Sequence, residues 1–140
     1  MVGKTIDLIK KNHKSIDILV INHGNPKPGN YKTVLITDWN EAINQCYLSA
    51  LLFIQLLSEK MKQKKWGRIF IINSIYSKAP NKDFIISSTL RAGFLAFAKC
   101  ISKDLSKYNI AVNSIVGWNY TNFVPCSIQI PASRVMKLPA

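Results

Sequence analysis

Acidic residues are scarce in this sequence. Seven Asp and Glu stand against nineteen Lys and Arg, a formal charge of +12 over 140 residues. Cysteine is scarce too: Cys46, Cys100 and Cys126 are widely spaced, with no CxxC or Cys/His cluster. That excludes a zinc knuckle and a disulfide framework. Cys46 and Cys100 fall in apolar helical patterns, as buried thiols do, and this usage points to a reducing, cytoplasmic compartment. Long apolar runs are missing: the longest, Leu48 to Leu57, is about ten residues and is broken by Ser49 and Gln55, where a membrane span needs roughly 20. The basic start MVGKTIDLIKKNHK lacks the continuous apolar stretch of a signal peptide. No GxGxxG run occurs among the six glycines, so no glycine-rich turn offers a helix N-terminus to a pyrophosphate.

The basic excess admits a polyanion or nucleic-acid partner as a secondary reading. Most of the lysines are spread over helices and loops, as on an ordinary solvated surface. The dense patch is KMKQKKWGR, Lys60 to Arg68, at an expected helix end, where cations complement the helix dipole. Trp39, Trp66 and Trp118 are far apart in sequence, which suits separate packing roles rather than a stacking platform.

What the chain does contain is an alternation of strand and helix signals. Val2–Asn12 reads as a short helix with Ile6 and Ile9 on one face. Ile16–Ile21 is a near-continuous apolar run, as in a buried parallel strand. Asn22–Gly29 (NHGNPKPG) is loop. A helix is expected to start near Asp38, with Asp38 and Glu41 as a capping-box-like pair, and to run through Met61. Gly67 is expected to end it, and RIFIIN, Arg68–Asn73, is the second strand. Helical spacing returns from about Lys82 to Leu105, Asn109 is the stop, and Ile110–Val116 is the third strand. After Trp118 the pattern is irregular, with Pro125, Pro131 and Pro139. The reading is a three-layer α/β fold, a partial doubly wound parallel sheet with right-handed crossovers. Residues 1–121 form it and residues 122–140 are an irregular tail. The first strand would keep a bare edge, so a further segment ahead of it or a partner is expected to cover it.

The central stretch is GRIFIINSIYSKAPNKDFIISSTLRAGFLAFAK, Gly67–Lys99. Its strand ends at Ser74, and Ser87 and Arg91 follow one helical turn apart. In open α/β sheets ligands bind at the carboxyl ends of strands. Here the residues resemble the short-chain dehydrogenase/reductase family over about residues 5–121. IDILVINHG is similar to the family's strand-plus-NNAG element, with Asn22 and Gly24 matching and Ile21 and His23 departing. Asp38-Trp39 opens the next helix as in the family. Ser74 matches the catalytic serine. The tyrosine position, thirteen residues on, falls on Ser87, and the lysine position, four further, falls on Arg91. Ile110–Ser114 resembles the passage to the VN motif, and Gly117 with Thr121 the PG…T segment without its proline.

The resemblance implies hydride transfer between NAD or NADP and a carbonyl or alcohol, with Rossmann architecture. It implies Ser74, Ser87 and Arg91 at the catalytic positions and Asn22, Gly24, Arg91, Gly117 and Thr121 on the nicotinamide and ribose side. The family's first strand and TGxxxGxG turn would precede this stretch. The proton-donating tyrosine is a serine, a far poorer acid. The lysine is an arginine, which keeps its charge but does not deprotonate. The relay asparagine falls on Cys46, with Asn44 two residues earlier. Tyr76 and His23 are the alternative acids, each with a plainer reading as a packing or turn residue. The NPKPG loop and Ser-x-x-x-Arg pattern also look like a divergent prokaryotic subgroup, in which these replacements would be a subgroup feature. The expectation is therefore a reductase-like oxidoreductase, impaired as this chain alone. The alternatives are a non-catalytic assembly or binding module and a polyanion binder. Homo- or hetero-oligomers are expected through helices 38–62 and 84–106. No metal site and no membrane contact are expected.

Overall fold

A computed structural model describes residues 16–117 and 135–137. The expected helix Val2–Asn12 and the candidate Thr121 lie outside the described residues.

The β-branched apolar runs form the strands. β1 is Ile18–Ile21, β2 Gly67–Ser74, β3 Ile110–Gly117 and β4 Val135–Lys137. The sheet order is β3-β2-β1-β4, and β1 pairs in parallel with both β2 and β4. β2 and β3 run parallel from Gly67↔Ile110 to Ser74↔Gly117. The chain is a partial Rossmann-type α/β fold. Among the described residues, both long helices, carried by the crossovers from β1 to β2 and from β2 to β3, share one core cluster with the sheet.

The first crossover contains α1 (Ile36–Ala42), a π-helical turn (Ile43–Leu48) and α2 (Ser49–Lys64), continuous with one another. The second contains a 3-10 turn (Ile75–Ser77) and α3 (Ile85–Ser106). The core lies between sheet and helices. Leu19, Ile21, Ile69 and Ile71 meet Phe53, Ile54, Leu57 and Met61 of α2 and Phe94, Ala98 and Leu105 of α3. By length and apolar composition alone α3 matches a membrane span, and one face of it, with Phe94, Ala98 and Leu105, packs in this core.

Several local expectations are corrected. The helix expected near Asp38 begins at Ile36, and Asp38 sits in the first turn of α1, where its carboxylate accepts the Leu35 N–H at 2.9 Å. Lys27 donates to both carboxylate oxygens at 3.1 Å. These contacts, the Leu35 N–H first, hold the Asp38 carboxyl below its ordinary pKa. Glu41 takes no part and accepts instead from Gln45. Nor does Gly67 end the helix: Lys65 takes the left-handed conformation after α2, with φ of 54°. Gly67 already belongs to β2 and is required by close approach, because a Cβ there would lie 2.5 Å from Met61 Sδ and 2.9 Å from Met61 Cβ. Asn109, expected to stop α3, lies in the turn beyond it: the helix ends at Ser106 with Lys107 as its cap, and Asn109 is left-handed at φ 56° just before β3. The tail read as irregular carries β4, which occupies the β1 edge expected to be bare.

Candidate functional site

The carboxyl ends of β1, β2 and β3 converge on the first turns of α3. Ser74 closes β2 and faces Gly117 in register at the end of β3. Its Oγ accepts the Tyr76 N–H at 3.3 Å, and its carbonyl accepts from Ser77 Oγ at 2.7 Å. The Ser74 hydroxyl proton takes no part in either bond.

Ser87 and Arg91 lie on the buried face of α3, at 7% and 2% exposure. The Arg91 guanidinium points inward. Nε donates to Ser87 Oγ at 3.3 Å, one terminal nitrogen donates to the Ile72 carbonyl at 3.3 Å, and the other to Asn25 Oδ1 at 3.2 Å. One side chain thus ties the loop after β1, the end of β2 and the start of α3. Asn73 supplies a second tie: its Nδ2 donates to the Arg91 carbonyl at 3.1 Å and to Ser114 Oγ at 3.3 Å, while its Oδ1 accepts the Ser74 N–H at 2.9 Å. Ser74, Ser87 and Arg91 are therefore brought into one network. Asn25 and Asn73, both part of it, were not singled out in the sequence.

Asn22 is exposed after β1, and Gly24 is half-buried. The Gly24 carbonyl accepts from the Cys46 thiol at 3.6 Å. Cys46 sits in the π-helical turn, a distortion often found at functional positions. Burial raises its thiol pKa, against the field of Arg91, so it is held as a thiol. Asn44 turns away and bonds the Asn40 carbonyl at 2.7 Å. Gly117 is exposed, and a Cβ there would meet nothing within 4 Å.

The two alternative acids are constrained. The His23 ring stacks on Phe94 with centroids 4.4 Å apart, and neither buried ring nitrogen has a hydrogen-bond partner. Burial and then Arg91 lower its pKa to about 4, only partly opposed by the Gly24 backbone. At neutral pH it is an uncharged imidazole and no match for a general acid. Tyr76 stacks on Phe84 at 5.1 Å, as a packing residue does. Among the described residues no group of three His, Cys, Asp or Glu side chains could hold a metal ion.

The site's place in the sheet and its serine follow a known pattern, and residues 1–121 match the family described as short chain dehydrogenase. The chain belongs to that family. It is 30% identical over 114 residues to 3-oxoacyl-[acyl-carrier-protein] reductase FabG of Aquifex aeolicus, covering 81% of this chain and 46% of the relative. It is 29% identical over 121 residues to the FabG of Buchnera aphidicola from Acyrthosiphon pisum, covering 86% and 49%. The chain thus spans about half the length of the curated relatives it matches. Among solved structures it resembles YwfH, an NADPH-dependent reductase of bacilysin biosynthesis, at TM-score 0.77 and 26% identity over 81% of this chain and 44% of that one. A gluconate 5-dehydrogenase from Burkholderia cenocepacia, solved with NADP and tartrate, shares the fold at TM-score 0.76 and 21% identity over 84% and 46%.

A nicotinamide cofactor is what this family implies, and the short-chain dehydrogenase site described above fits it in part. Asn22 and Gly117 are exposed at the ends of β1 and β3, where a ribose or nicotinamide amide would find a polar side chain and open backbone, while the half-buried Gly24 has its carbonyl bonded to Cys46. Arg91 carries the charge of the family's lysine, but its guanidinium is engaged inward. No glycine pair in the sequence is closer than Gly24 and Gly29.

Proposed function

We propose that this chain is the substrate-facing half of an NAD(P)-linked short-chain reductase acting on a carbonyl or alcohol, and that its catalysis is impaired when it acts alone. The FabG relatives favour a 3-oxoacyl thioester as the carbonyl substrate. A bound nicotinamide would supply or accept the hydride. Ser74, with a hydroxyl proton free of the two bonds its residue makes, would orient the carbonyl oxygen. The buried Arg91 charge would favour negative charge developing there. Proton donation has no good candidate: Ser87 is a weak acid whose oxygen accepts from Arg91, His23 is neutral and enclosed, and Tyr76 is stacked on Phe84. The Arg91–Ser87 contact is the single observation that carries this reading. Intrinsic-fluorescence titration with NADH and NADPH tests it, followed by an assay with an acetoacetyl thioester. Cofactor binding with slow or no turnover is the expected result. No binding at millimolar cofactor, or turnover at ordinary reductase rates, would sink it.

A second reading, an assembly module, is favoured by the groove between α2 and α3. This groove of about 320 Å³ has an apolar wall that includes Leu51, Ile54, Phe97 and Ile101. Leu48 and Leu52 are exposed nearby, at 49% and 38%. A second copy of the chain, or a fuller family member, seated along these helices would cover them.

A further inference from the structure

The end of the sheet opposite the candidate site carries a feature that reductase chemistry does not use. The carboxyl ends of α2 and α3 converge there with the first residues of β2 and β3. The fold brings Lys60–Arg68 against Lys103–Asn109, two stretches distant in sequence. Trp66 is exposed at 37%. The Arg68 guanidinium carbon lies 4.8 Å from the Trp66 ring centroid. One Arg68 nitrogen also donates to the Gly67 carbonyl at 2.7 Å and the Asn109 carbonyl at 3.0 Å. Arg68 thus pins Trp66 beside the turn that carries Tyr108. The Tyr108 ring in turn has the ammonium groups of Lys107 and Lys62 at 5.3 and 5.9 Å.

Helix-dipole complementarity accounts for only part of this. Lys62, Lys64 and Lys103 lie in the last turns of their helices, where cations are favoured. Lys62 is paired with Glu59 at 2.7 Å and Lys64 with Asp17 at 2.8 Å. Lys65, Arg68 and Lys107 lie beyond the helix ends, and among the described residues none of them has an acidic partner in a salt bridge. Two aromatic rings set among surplus cations form the combination that holds unpaired nucleotides. Rings stack on bases while cations track the phosphates. An acidic protein surface would engage the cations too, so competition by a polyanion without bases separates the two.

We propose that this surface binds a single-stranded phosphodiester chain, with Trp66 and Tyr108 stacking bases and Lys65, Arg68 and Lys107 contacting phosphates. The site is remote from Ser74 and independent of hydride chemistry. The test is fluorescence anisotropy of a labelled oligothymidylate titrated with the full chain over a salt series. Binding weakens as salt rises. Trp66→Ala and Tyr108→Ala each weaken it about 10-fold, within the range for loss of one stacked base. The double variant Lys65→Glu/Lys107→Glu lowers the slope of log affinity against log salt by about 1.4, at about 0.7 per phosphate contact on a single strand. Lys32→Glu, at the far end of the molecule beside the exposed Tyr31, leaves binding unchanged. The proposal is overturned by absence of binding at low salt, by unaltered affinity in both ring variants, or by equal displacement with poly-glutamate, which would assign the patch to acidic proteins.

Discussion

Arg91 donates through Nε to Ser87 Oγ at 3.3 Å, and both side chains are buried on one face of α3. In the family pattern these positions hold a lysine and a tyrosine directed at substrate and cofactor. Here the cation is spent on internal bonds to Asn25, Ile72 and Ser87. The guanidinium fork fits three acceptors in different directions, whereas an ammonium is a compact point charge. Arg91→Lys, a change toward the family residue, is therefore expected to destabilise the chain by about 1–3 kcal/mol, through unsatisfied buried groups. Urea unfolding measures it. An unchanged midpoint would show that the fork is not what holds the loop after β1 to α3.

His23 gives the chain an acid limb. Its folded pKa, about 4, lies below its ordinary value of 6.5. The unfolded chain therefore takes up a proton between those values and the folded chain does not. Stability from this group is complete above about pH 6.5, falls as pH drops toward 4, and is level below that. The full loss is up to about 3 kcal/mol. His23→Leu keeps an apolar partner for Phe94 and removes two orphaned nitrogens. It should flatten the acid limb without loss of stability at neutral pH. Unfolding midpoints from pH 7 to 4 decide this, and an equally steep limb in His23→Leu would assign the acid sensitivity to other groups.

Much of the fold was legible because strand and helix signals here are strong and local. Ile16–Ile21, Arg68–Asn73 and Ile110–Val116 are runs rich in β-branched and apolar residues, and all but Ile16 and Asp17 lie in strands. The order of elements and the parallel crossovers follow from that alternation. The ends were less legible. Lys65 takes a left-handed conformation that glycine would adopt more easily, so Gly67 drew the boundary two residues late. The π-helical turn at Ile43–Leu48 has no mark in composition or spacing. At the site, the serine and the 87/91 pair were legible from spacing, but their burial was not. Asn73 reaches a carbonyl 18 residues away and Asn25 is reached by a guanidinium 66 residues away. Such approaches are set by the packed fold and leave no pattern in the chain itself.

Gly67 and Gly117 make a matched pair for testing backbone approach. Both lie in strands, but a Cβ on Gly67 would clash with Met61, including its Cβ, whereas one on Gly117 would enter open space. Gly67→Ala is expected to cost about 1–3 kcal/mol by overpacking. Gly117→Ala should fall within about 0.5 kcal/mol of the parent, as surface changes do. Denaturant midpoints of the two variants check both at once. Equal effects would mean that α2 yields to the added methyl.

The groove between α2 and α3 makes the assembly reading testable by charge. Leu52 is 38% exposed on α2 and Leu48 is 49% exposed one turn earlier, and neither belongs to the buried core cluster. A carboxylate at either position would remain solvated in a monomer and would be desolvated, at a cost of several kcal/mol, if another helix pair covered it. Leu52→Glu should leave the thermal midpoint of a monomer little changed but lower the sedimentation coefficient of an assembled chain to that of a monomer. Sedimentation velocity over a concentration series separates the cases. A parent chain that is monomeric throughout removes self-association along this face, and a parent oligomer unaffected by Leu52→Glu moves the interface elsewhere.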